Sequence, residues 1–362
     1  MRIGLDARML TYSGIGTYLR GLLSGLLSLP GPERYILFGK PKEMASHLKA
    51  GRTEVVPWEV GPYNPLSLLW HPIPKGRVEV FHCPHYNLPF HIRTASVVTI
   101  HDLIHLVRPD LLSDHRAHLY ASWLLPGVVR RTEHFLTDSE YSKGDIINHL
   151  RVPEEKISVI YPGVREGFRP YLRDEVECFR RSRGLPQRFA LYVGLLKPHK
   201  NIIRLLQAFS SLKEEGLSLL LVGRRDRRYR ELNRALANDS LCPNVVLLPS
   251  FPFEELPLLY NAAECLALPS LYEGFGLPAL EAMACGTPVV CSHATSLPEV
   301  VGDAAVLVDP LSVRSLAEGM QNILGDSTLR SELRRKGLER AKQFRWQDSA
   351  AKTLKVYREV AN

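Results

Sequence analysis

The sequence lacks the features that would anchor it in a membrane or crosslink it through metal or disulfide. No apolar run reaches the roughly 18 residues that a membrane-spanning helix needs. The N-terminus leads directly into a strand-like segment, Arg2–Asp6, without a secretory signal pattern. The six cysteines are scattered and show no Cys-x-x-Cys pair or zinc-finger spacing. These absences predict a cytoplasmic protein with free, mostly buried thiols.

A concentrated basic patch is also absent. The net charge is +8 over 362 residues. Residues 1–170 carry 20 Lys and Arg against 16 Asp and Glu, and the remainder carries 26 against 22, so the excess is +4 in each part. This even spread argues against a nucleic-acid partner. It is compatible with a phosphate-bearing ligand or an anionic membrane surface.

Length and patterning predict an α/β protein of two domains. Short apolar strands alternate with amphipathic helices in both halves, which indicates parallel sheets covered on both faces. We predict Rossmann-like domains at 1–165 and 166–345 whose sheets face a central cleft, where ligands bind beyond the carboxyl ends of the strands. The predicted strands are Arg2–Asp6, Tyr35–Gly39, Val78–His82, Ser96–His101, Glu133–Asp138, Phe189–Val193, Leu217–Val222, Asn244–Leu248, Cys265–Leu268, Pro288–Cys291 and Ala305–Val308, with helices at Ile202–Glu215 and Glu255–Ala263 and a long loop at Pro62–Lys75.

Residues 264–291 carry the most specific pattern of the chain. An apolar strand ends near Pro269, and a glycine loop follows. Pro278 suits the first turn of a helix, where its missing N–H costs nothing, and Gly286 suits the helix end. The segment therefore predicts a strand, a glycine loop, a short helix and a second strand.

The glycine loop predicts an anion site. Gly274 and Gly276 let the backbone approach a ligand, and the free N–H groups at the helix start favour an anion such as a diphosphate. Glu281 lies one turn into the helix, where a carboxylate suits a ribose diol. Glu273, before the loop, would face the other end of the ligand.

The two glutamates could instead form a hydrolytic pair. Eight residues at helical rise span ~12 Å, whereas retaining glycosidases place their carboxyls about 5 Å apart and inverting enzymes up to about 9 Å. Part of the stretch is loop, which shortens the separation. Direct hydrolysis is therefore disfavoured but stays open.

The motif Glu-Gly-Phe-Gly-Leu-Pro-x-Leu-Glu-Ala-Met-Ala-x-Gly-x-Pro-Val, from Glu273 onward, resembles the Glu-x7-Glu signature of the retaining glycosyltransferase family 4, which has the GT-B fold. A second pattern, Tyr192-Val-Gly…Pro198-x-Lys-Asn201, is similar to that of a mannosyltransferase-like group. The resemblance implies a catalytic Glu273 and a nucleotide-sugar donor bound by Gly274, Phe275, Gly276, Leu277 and Glu281.

The N-terminal half resembles the family at three further places. Ser13-Gly-Ile-Gly-Thr17 is similar to its glycine loop, which implies donor contacts at Gly14 and Gly16; an ordinary strand-to-helix turn is the alternative. Thr99-Ile-His-Asp-Leu103 resembles its His-Asp motif, so His101 would touch the transferred sugar and Asp102 would hold His101 or an acceptor hydroxyl. Thr137–Ser142 resembles a loop that lines the cleft, with a helix N-cap as the alternative.

The C-terminal half resembles the family's phosphate-binding loop at Tyr192–Asn201. This implies donor contacts at Gly194 and Lys197 and a catalytic charge from Lys200 on the leaving diphosphate. Leu195 stands where members often have Arg, so the second positive charge is expected from Lys197, Arg224 or Arg225. The basic run Arg224–Arg230 is also typical of a solvated surface.

Two more segments bear on the donor base and the fold. Leu248-Pro-Ser-Phe-Pro252 occupies the place of a stretch whose backbone contacts the nucleobase, and its two prolines lack an N–H donor. The sequence therefore does not predict which nucleobase the donor carries. Residues 346–362 resemble the family's closing helix, which crosses back onto the N-terminal domain.

The resemblance implies retaining hexosyl transfer without metal or other cofactor. His101, His105, His115 and His118 make no recognised metal-ligand set. A GT-B sugar-nucleotide epimerase and a non-catalytic nucleotide-sugar-binding protein are the alternatives. A dehydrogenase is disfavoured, because no predicted strand of this chain is followed by the Gly-x-Gly-x-x-Gly fingerprint. GDP-mannose is the favoured donor, and a glycan or lipid-linked saccharide is the expected acceptor. Peripheral membrane contact is a hypothesis that rests on the basic charge, Trp58 and Trp70.

Overall fold

The structure, a computed structural model, describes residues 1–45, 48–73, 76–212, 214–237 and 244–361. It divides into two compact units. The first unit comprises Met1–Val107, Arg116–Gly163 and Phe344–Asn362. The second comprises Arg108–His115 and Val164–Gln343. Each unit contains its own parallel sheet.

The first unit contains a sheet that has seven parallel strands within the described residues, in the order β3-β2-β1-β4-β5-β6-β7. Its helices flank the sheet as crossover connections, which is the arrangement that parallel strands require. The elements are β1 Arg2–Asp6, α1 Ile15–Ser28, β2 Arg34–Gly39, α2 Pro41–Met44, β3 Thr53–Pro57, α3 Leu66–Leu69, β4 Val80–Cys83, β5 Ala95–Thr99, α4 Ile104–Val107, α5 Arg116–Arg131, β6 His134–Thr137, α6 Glu140–Leu150 and β7 Ile157–Val159.

The second unit contains a sheet of six parallel strands within the described residues, in the order β10-β9-β8-β11-β12-β13. The predicted fold class, two Rossmann-like domains with parallel sheets, is confirmed. The elements are α7 Arg173–Ser182, β8 Arg188–Val193, α8 Ile202–Ser211, β9 Leu217–Val222, α9 Arg230–Ala235, β10 Val245–Leu248, α10 Leu256–Ala262, β11 Cys265–Leu268, α11 Leu277–Cys285, β12 Val289–Ser292, α12 Leu297–Val301, β13 Val306–Val308, α13 Val313–Gly325 and α14 Ser327–Ala341.

All eleven predicted strands are confirmed within two residues at each end, but the structure contains two further strands that the sequence pattern does not predict. β3 and β7 lie at the two edges of the first sheet, and neither is fully buried. Edge strands need no continuous apolar run, so the hydrophobic pattern does not mark them. The predicted helix from Ile202 ends at Ser211, four residues early, because Leu212 is extended.

The loop predicted at Pro62–Lys75 contains one short helical turn, α3. Residues 74 and 75 lie outside the described residues. Trp58, proposed as part of a membrane-contacting surface, is 1% exposed. The guanidinium carbon of Arg8 lies 3.3 Å from its ring centroid. That part of the hypothesis is wrong, because Trp58 packs in the core of the first unit.

Five of the six cysteines lie in the described residues, and all five are free thiols. Cys83, Cys265, Cys285 and Cys291 are buried, as predicted, whereas Cys178 is exposed. Cys242 lies outside the described residues. The buried thiols act as small apolar core residues.

The chain returns to the first unit at its C-terminal end. The last helix, α15 (Trp346–Ala361), packs against α1 and contributes Trp346, Ala350, Leu354 and Tyr357 to the first unit's core. This confirms the predicted helix that crosses back to the N-terminal domain. The helices approach closely because α1 presents glycines: a Cβ on Gly21 would lie 2.0 Å from Cε2 of Trp346.

We therefore expect Gly21→Ala to destabilise the protein. Its new methyl group overlaps the Trp346 ring, and overpacking of this kind typically costs about 1–3 kcal/mol. The matched control is Gly144→Ala in α6, where a Cβ meets no atom within 4 Å. This control should be neutral or stabilising by about 0.5–1 kcal/mol. Equal effects of the two substitutions on urea unfolding would contradict the close α1–α15 packing.

Candidate active site

The predicted strand, glycine loop and helix of residues 264–291 are present in the second unit. Strand β11 ends at Leu268 and α11 begins at Leu277, with Pro278 in its first turn. Gly276 caps the helix with a φ of +105°, a backbone conformation that favours glycine, and Gly286 ends it with a φ of +75°. The first N–H groups of α11 therefore lie next to the glycine loop, as an anion site requires.

The two residues predicted to be catalytic in this unit are paired. The Lys200 Nζ atom lies 2.6 Å from Oε1 of Glu273. The Ser270 hydroxyl donates to the same oxygen at 2.7 Å. The side chains of Lys200 and Glu273 are 19% and 10% exposed, so the pair is mostly shielded from water but accessible at one side. A cation and a carboxylate are thus fixed beside the glycine loop.

Hydrogen bonds to the backbone fix the two loops that carry this pair. Asn201, which is 2% exposed, donates from Nδ2 to the carbonyls of Pro269 at 3.0 Å and Pro310 at 2.7 Å. The amide of Leu271 donates to the carbonyl of His199 at 2.7 Å. The Lys200 loop and the Glu273 loop are therefore tied together on both sides of the ion pair.

Glu281 has a separate partner. Its Oε2 accepts a hydrogen bond from the buried hydroxyl of Tyr260 at 2.9 Å. Burial raises the pKa of Glu281 to about 7, and the Tyr260 hydrogen bond opposes this rise only in part. The carboxyl is therefore near half-protonated at neutral pH, which makes its charge sensitive to whatever binds it.

The two glutamates do not share a hydrogen-bond partner, since Glu273 binds Lys200 and Ser270 while Glu281 binds Tyr260. A hydrolytic carboxyl pair divides its work between two groups that act on one bond. The different partners fit two different functions better than one shared function.

The predicted phosphate-binding loop follows β8. A Cβ on Gly223 would lie 1.9 Å from the carbonyl oxygen of Gly194, so the ends of β8 and β9 can approach only because residue 223 is glycine. Gly194 has a φ of +150°, which also favours glycine. Lys197 precedes the 3-10 turn Pro198–Lys200. Arg224 is exposed, and its carbonyl accepts from the amide of Leu196 at 3.0 Å. These residues lie on neighbouring loops at the carboxyl edge of the sheet.

In the first unit, His101 is held at both ring nitrogens. Its Nδ1 lies 2.5 Å from Oδ2 of Asp138, and its Nε2 lies 3.0 Å from the carbonyl oxygen of Pro84. The Ser142 hydroxyl donates to the carbonyl of His101 at 3.0 Å. Burial lowers the pKa of His101, but the charge and hydrogen bond of Asp138 outweigh this effect, and the net direction is upward.

Asp102 does not hold His101, which corrects one of its two predicted roles. Its Oδ1 accepts from the amide of Ile104 at 3.0 Å and so supports the start of α4. Asp138 takes the position beside the imidazole instead. The other predicted role of Asp102, contact with an acceptor hydroxyl, stays a prediction.

The N-terminal glycine loop and the Thr137–Ser142 loop have the local structures that were the alternatives to ligand contact. Gly14 caps α1 with a φ of +72°, and Gly16 lies within the first turn of that helix. The hydroxyl of Ser139 accepts from the amide of Ser142 at 3.0 Å and caps α6. These structural roles do not test the predicted ligand contacts.

Asp138, Tyr260 and Asn201 are the site residues that sequence reasoning missed. Asp138 directly follows β6, the neighbour of β5, whose end leads to His101. Because parallel strands end at the same edge, this register was a usable signal. Tyr260 gives no such signal, since its partner Glu281 lies on a different helix.

The described residues contain no group of three or more His, Cys, Asp and Glu side chains that could hold a metal ion. Within the same ranges, no helix has the length and apolar character needed to cross a membrane.

Comparisons with known families match both halves of the chain. The family described as "Glycosyltransferase Family 4" matches residues 12–167, and that described as "Glycosyl transferases group 1" matches residues 177–342. The O-antigen chain mannosyltransferase B of Escherichia coli is 35% identical over 285 residues, which are 77% of this chain and 74% of the relative. The O-antigen chain mannosyltransferase RfbU of Salmonella typhimurium is 29% identical over 289 residues, which are 80% and 76% of the two chains.

Solved structures show the same fold. A sucrose-phosphate synthase from Thermosynechococcus elongatus matches with a TM-score of 0.79 and 21% identity over 99% of both chains. Anabaena Alr3699/HepE in complex with UDP-glucose matches with a TM-score of 0.77 and 19% identity over 98% of this chain and 100% of that chain. Fold and site together define a GT-B glycosyltransferase. The chain belongs to glycosyltransferase family 4 and is mannosyltransferase-like.

The raised pKa of Glu281 predicts a stability that falls with rising pH. The unfolded carboxyl titrates near 4.5 and the folded one near 7, so the folded state binds the proton more tightly. This stabilisation is complete below pH 4.5 and is lost as pH rises through 7. Glu281→Gln mimics the protonated form, and we expect it to be more stable than the wild type at pH 8 by on the order of 1–3 kcal/mol.

The matched control is Glu231→Gln on the exposed surface of α9 in the same unit. It should follow the wild-type stability at every pH. Thermal unfolding at pH 5 and pH 8 separates the cases, and a Glu281→Gln protein that is less stable at pH 8 would rule out an unfavourable buried charge.

Proposed function

We propose that the protein transfers a hexose, with mannose from GDP-mannose favoured, to a glycan or lipid-linked saccharide with retention of the anomeric configuration and without metal. The observation that supports this most is the Lys200–Glu273 pair, 2.6 Å apart, beside the glycine loop at the start of α11. The pair provides one positive charge for a leaving diphosphate and one carboxylate for sugar hydroxyls.

The diphosphate is proposed to lie at the start of α11. The first N–H groups of the helix and the helix dipole favour negative charge there. The ammonium of Lys200, which Glu273 holds beside this loop, is proposed to donate to the phosphate when the donor binds. Fixed donors of this kind stabilise the charge that develops as the diphosphate leaves, with no reorganisation of water.

Glu281 is proposed to bind the ribose of the donor. A carboxylate accepts hydrogen bonds from two neighbouring hydroxyls, and those bonds favour its ionised form. The buried Tyr260 hydroxyl fixes one of the two carboxylate oxygens at 2.9 Å. Donor binding should therefore tighten as pH rises through about 7, where Glu281 loses its proton.

The reaction is proposed to be a front-face displacement. The acceptor oxygen forms a bond to the anomeric carbon on the face from which the diphosphate leaves, and the bond from that carbon to the phosphate oxygen breaks. The proton of the acceptor hydroxyl passes to an oxygen of the departing phosphate. His101 is proposed to contact the transferred sugar. Lys200 and the α11 amides take the charge-stabilising role that a divalent ion has in other transferases.

The donor and acceptor classes are supported by the relatives. Both named relatives are O-antigen chain mannosyltransferases, so mannose and a saccharide acceptor are the first choices here. UDP-glucose, the ligand in the Anabaena structure, is the main comparison donor. The loop that follows β10, with Pro249 and Pro252, does not specify which nucleobase the donor carries.

The donor proposal is tested by calorimetric titration with GDP-mannose, UDP-glucose, UDP-GlcNAc and ADP-glucose in EDTA. We expect GDP-mannose to bind, and Glu281→Ala to weaken it at least about tenfold, since a lost charged hydrogen bond costs about 1.5–3 kcal/mol. Glu318→Ala on the exposed face of α13 is the control and should bind as the wild type.

Slow hydrolysis of bound GDP-mannose tests whether the anomeric configuration is retained. If it is retained, the mannose first released should be the α-anomer, which NMR identifies. Loss of donor binding in EDTA would contradict the metal-independent proposal. Binding without any turnover on saccharide acceptors would favour the non-catalytic alternative, and inversion at C2 without transfer would favour the epimerase.

We also propose that the first unit contacts an anionic membrane through an exposed apolar patch formed by Leu66, Leu69, Trp70, Leu119 and Trp123. These side chains are between 56% and 67% exposed. Their two helices are linked through Phe90, whose amide donates to Leu68 at 2.8 Å and whose ring lies 5.6 Å from Trp123. Large exposed apolar patches of this kind mark interaction surfaces.

The charge around this apolar patch fits anionic lipid. The segments 60–73, 80–101 and 115–132, which contribute the patch residues and Phe90, contain no Asp or Glu, whereas they contain Arg93, Arg116, Arg130 and Arg131. Apolar side chains near an excess of basic residues bind headgroups and the acyl boundary together.

Co-sedimentation with vesicles tests the patch. We expect binding to phosphatidylglycerol vesicles at low salt, weak binding to phosphatidylcholine, and at least about tenfold loss in Leu119→Ser/Trp123→Ser. Leu172→Ser/Leu311→Ser removes apolar side chains that are equally exposed in the second unit and should bind as the wild type. Failure of the wild type to co-sediment would rule out this surface as a membrane contact.

A further inference from the structure

We infer that Asp138 holds His101 as an imidazolium, so that His101 acts as a fixed positive charge and does not accept a proton during transfer. Asp138 is then a positioning residue that acts through His101. This inference rests on the proposed function for its catalytic consequence, but the protonation state itself follows from the contacts in the first unit.

The two partners of His101 determine where its protons lie. The carbonyl oxygen of Pro84, 3.0 Å from Nε2, can only accept a hydrogen bond, so Nε2 carries a proton. Oδ2 of Asp138 lies 2.5 Å from Nδ1, and hydrogen bonds with an ionised donor or acceptor are shorter than those between neutral groups. With the proton on the more basic partner, the histidine, both ring nitrogens donate.

Asp138 is suited to stabilise the positive charge of His101 because its carboxylate is buried beside the imidazole ring. Asp138 is 5% exposed, and its second oxygen, Oδ1, has no hydrogen-bond partner in the described ranges. A buried carboxylate without a cation would be costly. The carboxylate and the imidazolium therefore stabilise each other's charged forms.

The other titratable groups around His101 are neutral or reinforce its charge. Tyr18 from α1 meets the imidazole edge-on at 4.7 Å between ring centroids, and burial raises the pKa of its hydroxyl. Burial, together with the charge of His101, lowers the pKa of His82 on β4 and of the following His85 to about 3. The neighbouring Asp102 carboxylate favours the imidazolium. His101 is thus the protonated member of this histidine group.

The chemical consequence concerns the acceptor's proton. An imidazolium has no free lone pair, so His101 cannot serve as a general base. The proton of the acceptor hydroxyl then goes to a group other than His101, and the proposed front-face displacement assigns it to the departing phosphate. A positive charge near the reacting sugar stabilises the negative charge that forms on that phosphate.

The protonation state is measured by two-bond 1H–15N NMR on protein labelled in histidine, with the His101 signals assigned by their loss in His101→Asn. In the wild type both nitrogens should show protonated shifts at pH 7. One unprotonated nitrogen at pH 7 would overturn the inference. This measurement does not require transfer activity, so it remains valid if the proposed donor or acceptor is wrong.

Asp138→Asn tests the positioning role, since an amide accepts a hydrogen bond but brings no charge. We expect the pKa of His101 to fall by about 1–3 pH units. The kcat should then decrease as pH rises through the new pKa, while the affinity for GDP-mannose stays within about twofold. The control is Glu155→Gln, an exposed substitution just before β7. Glu155 lies at the amino ends of the strands, whereas His101 and Asp138 lie at the carboxyl ends, so this variant should keep the wild-type pH profile. A wild-type pKa and pH profile in Asp138→Asn would overturn the role of Asp138.

Discussion

The alignment of parallel strands is the constraint on which the rest of this structure depends. All strands of one parallel sheet end at the same edge, so the loops that follow them gather there. In the second unit this brings the loop after β8, with Lys200, beside the loop after β11, with Glu273. In the first unit it brings Pro84, His101 and Asp138 together after β4, β5 and β6. Residues far apart in the sequence become hydrogen-bonding partners through strand order alone.

Much of this could be predicted from local sequence, because local physics decides it. The glycine loop, Pro278 and Gly286 specify a helix start and end within one segment, and the structure confirms them. The alternation of strands and helices specified the α/β class and the parallel sheets. The order of the strands in the sheet could not be predicted from the sequence. Without that order the adjacent Asp102 is the expected partner of His101, whereas the structure shows Asp138 in that position.

The remaining errors share a different cause. A tryptophan in a proline-rich neighbourhood carries no local pattern that distinguishes a surface position from a core position. The sequence therefore suggests an exposed Trp58, whereas in the structure Arg8 covers its ring. Likewise, no pattern announces that Tyr260 reaches Glu281 from another helix. Such contacts arise from the packing of elements, which the order of residues along one element does not encode.

The return of α15 to the first unit has a consequence for synthesis. The core of the first unit includes Trp346, Leu354 and Tyr357, which leave the ribosome only after the whole second unit has been made. The second unit is nearly continuous in sequence and can complete its core first, whereas the first unit waits with the apolar stripe of α1 uncovered. The core cluster that α1 and α15 share is therefore completed only after the second unit has been made, and until then α1 is the segment a chaperone would need to shield.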